Sequence, residues 1–98
     1  SEGRRNIAVY DDGIVKGVIR ISGTEIEKLY VEPQFQSQGI GAVLLQYAVQ
    51  KRNAVSLWVL EYNTCGIAFY KKNGFQLTGE KKIEDDIVPL LKMERISE

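Results

Sequence analysis

Histidine is absent from this 98-residue chain. The commonest general base and the commonest zinc ligand are therefore both missing, and no metal is expected. Cysteine occurs once, at Cys65, which excludes an internal disulfide framework and fits a reducing compartment. Net charge is lacking too, since 13 Lys and Arg balance 13 Asp and Glu. Such a chain exerts no general attraction on nucleic acid or an anionic membrane, so neither is expected as a partner. No apolar run approaches the roughly 18 residues of a membrane span. No signal-like stretch follows Ser1-Glu2-Gly3-Arg4-Arg5, and a cytoplasmic protein is expected.

What is present reads as one ordinary small domain over residues 1–98. Apolar residues make up 44% and charged residues 27%, enough for a modest core. Repeats, low-complexity tracts and linkers are not seen. "NIAVYDDGIVKGVIRI" gives two β-rich runs around Asp12-Gly13, a hairpin signal. A second turn at Ser22-Gly23 leads into "TEIEKLYVEP", a third strand whose parity is imperfect. Ile26 and Tyr30 share a face with Lys28, while Leu29 and Val31 share the other with Glu25 and Glu27. Either both faces are covered at the far end or a bulge shifts the register. Ile40, Val43, Leu44, Tyr47 and Ala48 follow helical spacing, which predicts a helix from about Gln38 to Lys51. "AVSLWVLEY" (Ala54 to Tyr62) is a nearly continuous apolar strand, so cover on both faces is expected, with Trp58 and Leu60 in the core. Asn63 caps a helix from Thr64 to Asn73 that Gly74 stops. "FQLTGEKKIE" and "IVPLLKMERI" close a hairpin across Asp85-Asp86, with Pro89 placed at an edge or a bulge. The order is β-β-β-α-β-α-β-β, a mixed, mostly antiparallel α+β arrangement with strand three, helix one and strand four as a crossover unit.

Two glycines, Gly39 and Gly41, open the first helix, although glycine costs about 1 kcal/mol relative to alanine in a helix interior. The first N–H groups of a helix lack internal partners, and the helix dipole places positive charge beside them. Glycines there admit an anion close to the main chain. The P-loop pattern fails because Ala42-Val43 follows Gly41, and the dinucleotide fingerprint fails because Leu44 stands where Gly or Ala is required. What remains is Gln36-x-x-Gly39-x-Gly41 after a strand that ends at Pro33.

That pattern resembles the GNAT (Gcn5-related) N-acetyltransferase family, whose core motif is Arg/Gln-x-x-Gly-x-Gly/Ala after a strand ending "L-x-V-x-P". Here it reads "LYVEPQFQSQGIGAVLL", from Leu29 to Leu45. A second stretch, "LEYNTCGIAFYKKNGF", is similar to the family's "N-x-x-A-x-x-F-Y-x-K-x-GF" segment, with Asn63, Ala68, Phe69, Tyr70, Lys72, Gly74 and Phe75 in matching places and a looser spacing from Asn63 to Ala68. The likeness runs from about Ile14 to Met93. It departs from the family by lacking the usual strand and two helices before the first hairpin. A short form is therefore expected, with a homodimer as the expected source of the missing cover.

The resemblance implies acetyl-coenzyme A as co-substrate and a primary amine, on a small molecule or a protein, as acceptor. It implies diphosphate binding by main-chain N–H groups of Gln36, Ser37, Gln38, Gly39, Ile40 and Gly41, with Ala42 closing the turn. The pantetheine arm would pair with the main chain of Leu29, Tyr30 and Val31, in a gap between the third and fourth strands. The Val31 N–H would stabilise charge on the thioester oxygen. Tyr70 matches the tyrosine that protonates the departing thiolate, and Asn63 the asparagine that contacts the cofactor. Glu25 matches a glutamate base of the histone-acetylating branch, and Glu27 lies on the same face. Glu61 is a third carboxylate, and each of the three also reads as a solvated surface charge. Cys65 has no histidine to activate it, so direct transfer without an acyl-enzyme is expected. The competing expectation is a catalytically weak coenzyme A-binding or regulatory module.

Overall fold

β1 (Asn6–Asp11) and β2 (Val15–Ser22) form the expected hairpin, turning where Gly13 takes a φ of 116°. Asp11 Oδ1 accepts a 2.9 Å hydrogen bond from the Gly13 N–H and fixes that turn. β2 turns through Gly23 into β3 (Glu25–Val31), again antiparallel. This computed structural model describes residues 6–96; the opening Ser1-Glu2-Gly3-Arg4-Arg5 lies outside the described residues. The chain divides into two compact units between Val55 and Ser56.

In the first unit the imperfect parity of β3 resolves as a bulge. Arg20 pairs with Lys28, but Ile21 pairs with Ile26, so Glu27 is the extra residue. The insertion resets the alternation, burying Ile26 on one side of it and partly burying Leu29 and Val31 on the other. A 3₁₀ turn (Pro33–Phe35) leads to α1 (Ile40–Arg52), which starts two residues later than its spacing predicts. α1 packs on the sheet over β2, where Gly17 gives it room. Its buried residues are Ile40, Leu44, Leu45 and Ala48, whereas Val43 and Tyr47 of the expected face are exposed. The helix is apolar nearly all round, so spacing identified the helix but not which face turns inward. With Ile19, Ile21 and Ile26 these side chains make the core of the unit, each Ile or Leu worth about 1.5–3 kcal/mol when fully buried. Asn53, left-handed at φ 57°, ends α1, and the Val55 N–H returns to Thr24 O at 2.8 Å.

The second unit holds β4 (Ser56–Leu60), α2 (Thr64–Lys72), β5 (Phe75–Glu84) and β6 (Val88–Arg95). β6 pairs antiparallel with both β4 and β5, so Pro89 stands in a central strand, not at an edge. The bulge lies elsewhere, at Thr78–Glu80 of β5, where Gly79 has a φ of 94°. Pro89 is tolerated because its missing N–H faces Glu61, one residue beyond the last ladder pair of β4, Leu60 with Leu90. β4 alternates: Leu57 and Val59 are buried, while Trp58 is half-buried and Leu60 is 40% exposed. Cover on both faces is thus corrected to cover on one. Trp58 lies instead under cations, Lys82 Nζ at 4.5 Å and Lys92 Nζ at 5.9 Å from its ring centre. The β5–β6 hairpin turns through Asp85 and Asp86, both left-handed, with the Ile87 N–H bonded to Glu84 O at 3.1 Å.

Candidate functional site

The loop between β3 and α1 is built to bare its main chain. Gly39, at φ 83° and ψ 2°, is the N-cap of α1, and no side chain caps the helix. The first helical bond across this end runs from the Val43 N–H to Gly39 O, at 3.1 Å. The N–H groups of Ile40, Gly41 and Ala42 precede it and have no partner within the helix. No acidic residue occupies the first turn, and Gln36, Ser37, Gln38 and Gly39 are exposed. Ser37 is left-handed as well, at φ 68°, so left-handed residues flank Gln38. A Cβ at Gly39 would meet nothing within 4 Å, so it is the positive φ, not crowding inside the chain, that calls for glycine. Gln36 does more than lend an amide: its Nε2 donates to Val31 O at 3.0 Å and ties the loop back to β3.

The three expected strand residues are not equivalent. Glu32 donates its N–H to Lys16 O at 2.9 Å, which makes residues 16 and 32 a hydrogen-bonded pair. Antiparallel alternation then directs the main-chain groups of Tyr30 toward β2 and those of Leu29 and Val31 away from it. The capture of Val31 O by Gln36 agrees with that direction.

Asn63 caps α2 and Tyr70 lies within it, both in the second unit. Asn63 Oδ1 accepts from the Gly66 N–H at 2.9 Å, the expected cap. A Cβ at Gly66 would collide with the Asn63 side-chain amide, which explains that glycine. Tyr70 sits between Phe69 and Phe75, edge-on to each, with centroids 5.3 and 6.1 Å away. Burial pushes its phenol above the ordinary value, so it remains protonated at neutral pH. Cys65 is exposed in the first turn.

The carboxylates are less favourably placed for base chemistry. Glu27, the bulge residue, is engaged by Arg20 Nε at 3.0 Å, and Glu61 by Lys81 Nζ at 3.1 Å. Glu25 is half-buried at the start of β3. It lies six positions before Val31 on that strand, about 20 Å of extended chain. Sequence reasoning passed over Lys16, Gly17, Phe35 and Gly66. Glycine inside a strand signals close approach of another element, and Gly17 carried that signal. Lys16 and Phe35 carried none.

Residues 3–77 match the family model described as acetyltransferase (GNAT) domain, and the chain belongs to that family. It is similar to the peptidyl-lysine N-acetyltransferase YjaB of Salmonella typhimurium, 33% identical over 79 residues, which cover 81% of this chain and 54% of the relative. The chain thus spans about half the length of the curated relatives it matches. The solution structure of apo-form YjaB from Escherichia coli superposes with a TM-score of 0.78 at 29% identity, over 94% of this chain and 64% of that one. The PaiA N-acetyltransferase of Thermoplasma acidophilum, crystallised with coenzyme A, gives a TM-score of 0.68 at 27% identity, over 94% of this chain and 62% of the other. Among the described residues no helix is long and apolar enough to cross a membrane.

Proposed function

We propose that this protein transfers an acetyl group from acetyl-coenzyme A to a primary amine by direct attack. The observation that carries the reading is the uncapped start of α1 on a left-handed glycine inside Gln36-x-x-Gly39-x-Gly41. Those amides suit a diphosphate, which the helix dipole also favours. Main-chain groups of Leu29 and Val31, turned away from β2, pair with the pantetheine arm. The Val31 N–H stabilises the oxyanion as the amine nitrogen attacks the thioester carbon. When the carbon–sulfur bond breaks, the Tyr70 phenol gives its proton to the thiolate. Burial raises the Tyr70 phenol further above the ordinary thiol value near 8.5, so this transfer is uphill unless the site strengthens the base. The acceptor ammonium, with a pKa of about 10.4 if lysine-like, loses its proton through water, because Glu27 and Glu61 are engaged by Arg20 and Lys81.

Peptidyl lysine is the first acceptor to test, because three relatives carry that name. A cytoplasmic setting suits the single thiol, Cys65, which is exposed. A thermal-shift titration with acetyl-coenzyme A tests the reading: about 2.7 kcal/mol of added stability is expected at a hundred times Kd. No shift at millimolar ligand would remove it. Thiol release across a panel of amines then separates an enzyme from a coenzyme A-binding module. Tyr70→Phe should slow turnover and leave cofactor binding nearly intact; unchanged turnover rejects the acid role.

A further inference from the structure

We infer that Lys16 is a positioning residue that clamps the entry to the amide loop through Phe35, an assignment that rests on the diphosphate reading of that loop. Lys16 is the odd residue of the β1–β2 ladder: Tyr10 pairs with Gly17 and Asp11 with Val15, so Lys16 has no opposite number on β1. Its main-chain oxygen takes the Glu32 N–H at 2.9 Å. Its ammonium bonds Asp12 Oδ2 at 2.9 Å and stands 4.7 Å from the centre of the Phe35 ring. The side chain is only 18% exposed, unlike a lysine that trails into water. Asp12 already balances its charge, so its part is to hold the ring, not to neutralise phosphate.

Phe35 immediately precedes Gln36, and Ser37 follows in a left-handed conformation without being glycine. Such a residue persists only where its surroundings over-determine it. The surroundings here come from consecutive residues of β2. Lys16 holds the entry through Glu32 and Phe35. Gly17 holds the exit, because Ile40 and Leu44 of α1 pack directly over it. The Gln36–Val31 bond lies between the two. One bulge thus sets the spacing of both ends of the loop.

The test compares wild type with Lys16→Met, Lys16→Arg, Phe35→Leu and the Lys16→Met/Phe35→Leu double variant. Methionine keeps the apolar stem and removes the cation; arginine keeps the cation. Backbone ¹⁵N relaxation without ligand should show order falling from Gln36 to Gly41 in Lys16→Met and Phe35→Leu, and restored in Lys16→Arg. Coenzyme A affinity should fall roughly threefold in either single variant. The double variant should lose no more than one of them, because both remove the same contact. Wild-type loop order in Lys16→Met, or an additive loss in the double variant, overturns the clamp. If wild type fails to bind coenzyme A, the proposed function falls, and the relaxation data still decide the clamp.

Discussion

Adding a single methyl group at Gly17 should loosen the first unit. A Cβ there would stand 3.0 Å from Tyr30 O, 3.1 Å from Leu44 Cδ1 and 3.2 Å from Ile40 Cγ2. The oxygen belongs to the β2–β3 ladder and Ile40 is β-branched and stiff, so α1 itself must give by a few tenths of an ångström. Overpacking of this kind costs about 1–3 kcal/mol. Alanine recovers about 0.5–1 kcal/mol by restricting the unfolded chain more than glycine does. The net expectation for Gly17→Ala is a loss near 1 kcal/mol, a fall in Tm of about 4–8 °C for a chain of this size. Thermal denaturation followed by circular dichroism measures it, and an acetyl-coenzyme A titration of the same samples should show weaker binding as the start of α1 shifts. An unchanged or raised Tm would mean that α1 does not sit against β2 at these distances, and the packing argument would be wrong.

Gly39→Ala should be destabilising for a different reason: nothing crowds the site, but its φ of 83° costs an L-residue about 1–2 kcal/mol, and Gly39→Asn should recover part of that in the same melt. Asn63→Ala should lose about 1 kcal/mol with the cap to Gly66, while Asn63→Asp should keep the stability; weaker coenzyme A binding in Asn63→Asp would then assign the side chain a role beyond capping. Tyr70 predicts an alkaline limb. Its folded value is raised by burial, so the stability tied to the neutral phenol is complete below the unfolded value near 10 and is lost as pH rises through the folded one. Denaturant titrations from about pH 9 to 11 should fall more steeply for wild type than for Tyr70→Phe.

The elements were legible because their signals are local. Asp12-Gly13, Ser22-Gly23 and Asp85-Asp86 each turn the chain, Asn63 and Gly74 bracket α2, and the parity fault in β3 offered a bulge as one of two readings. The family motif was legible for the same reason: its residues are contiguous. What stayed hidden depends on partners distant in sequence. The inward face of α1 could not be read from a helix apolar on nearly every side. The place of Pro89 depended on where β4 ends, and the cations over Trp58 come from β5 and β6. The two roles of Lys16 required knowing that β2 carries an unpaired residue there.

Pro89 has a consequence for where β4 stops. Having no N–H, it cannot return a bond to Glu61, so the zipper between β4 and β6 closes one rung short of where an ordinary residue would carry it. The released chain turns at once, with the Asn63 N–H bonded to Leu60 O at 2.9 Å, and α2 begins at the next residue. The point where α2 takes over from β4, and with it the placement of Tyr70 two turns along, thus coincides with a missing hydrogen on the neighbouring strand.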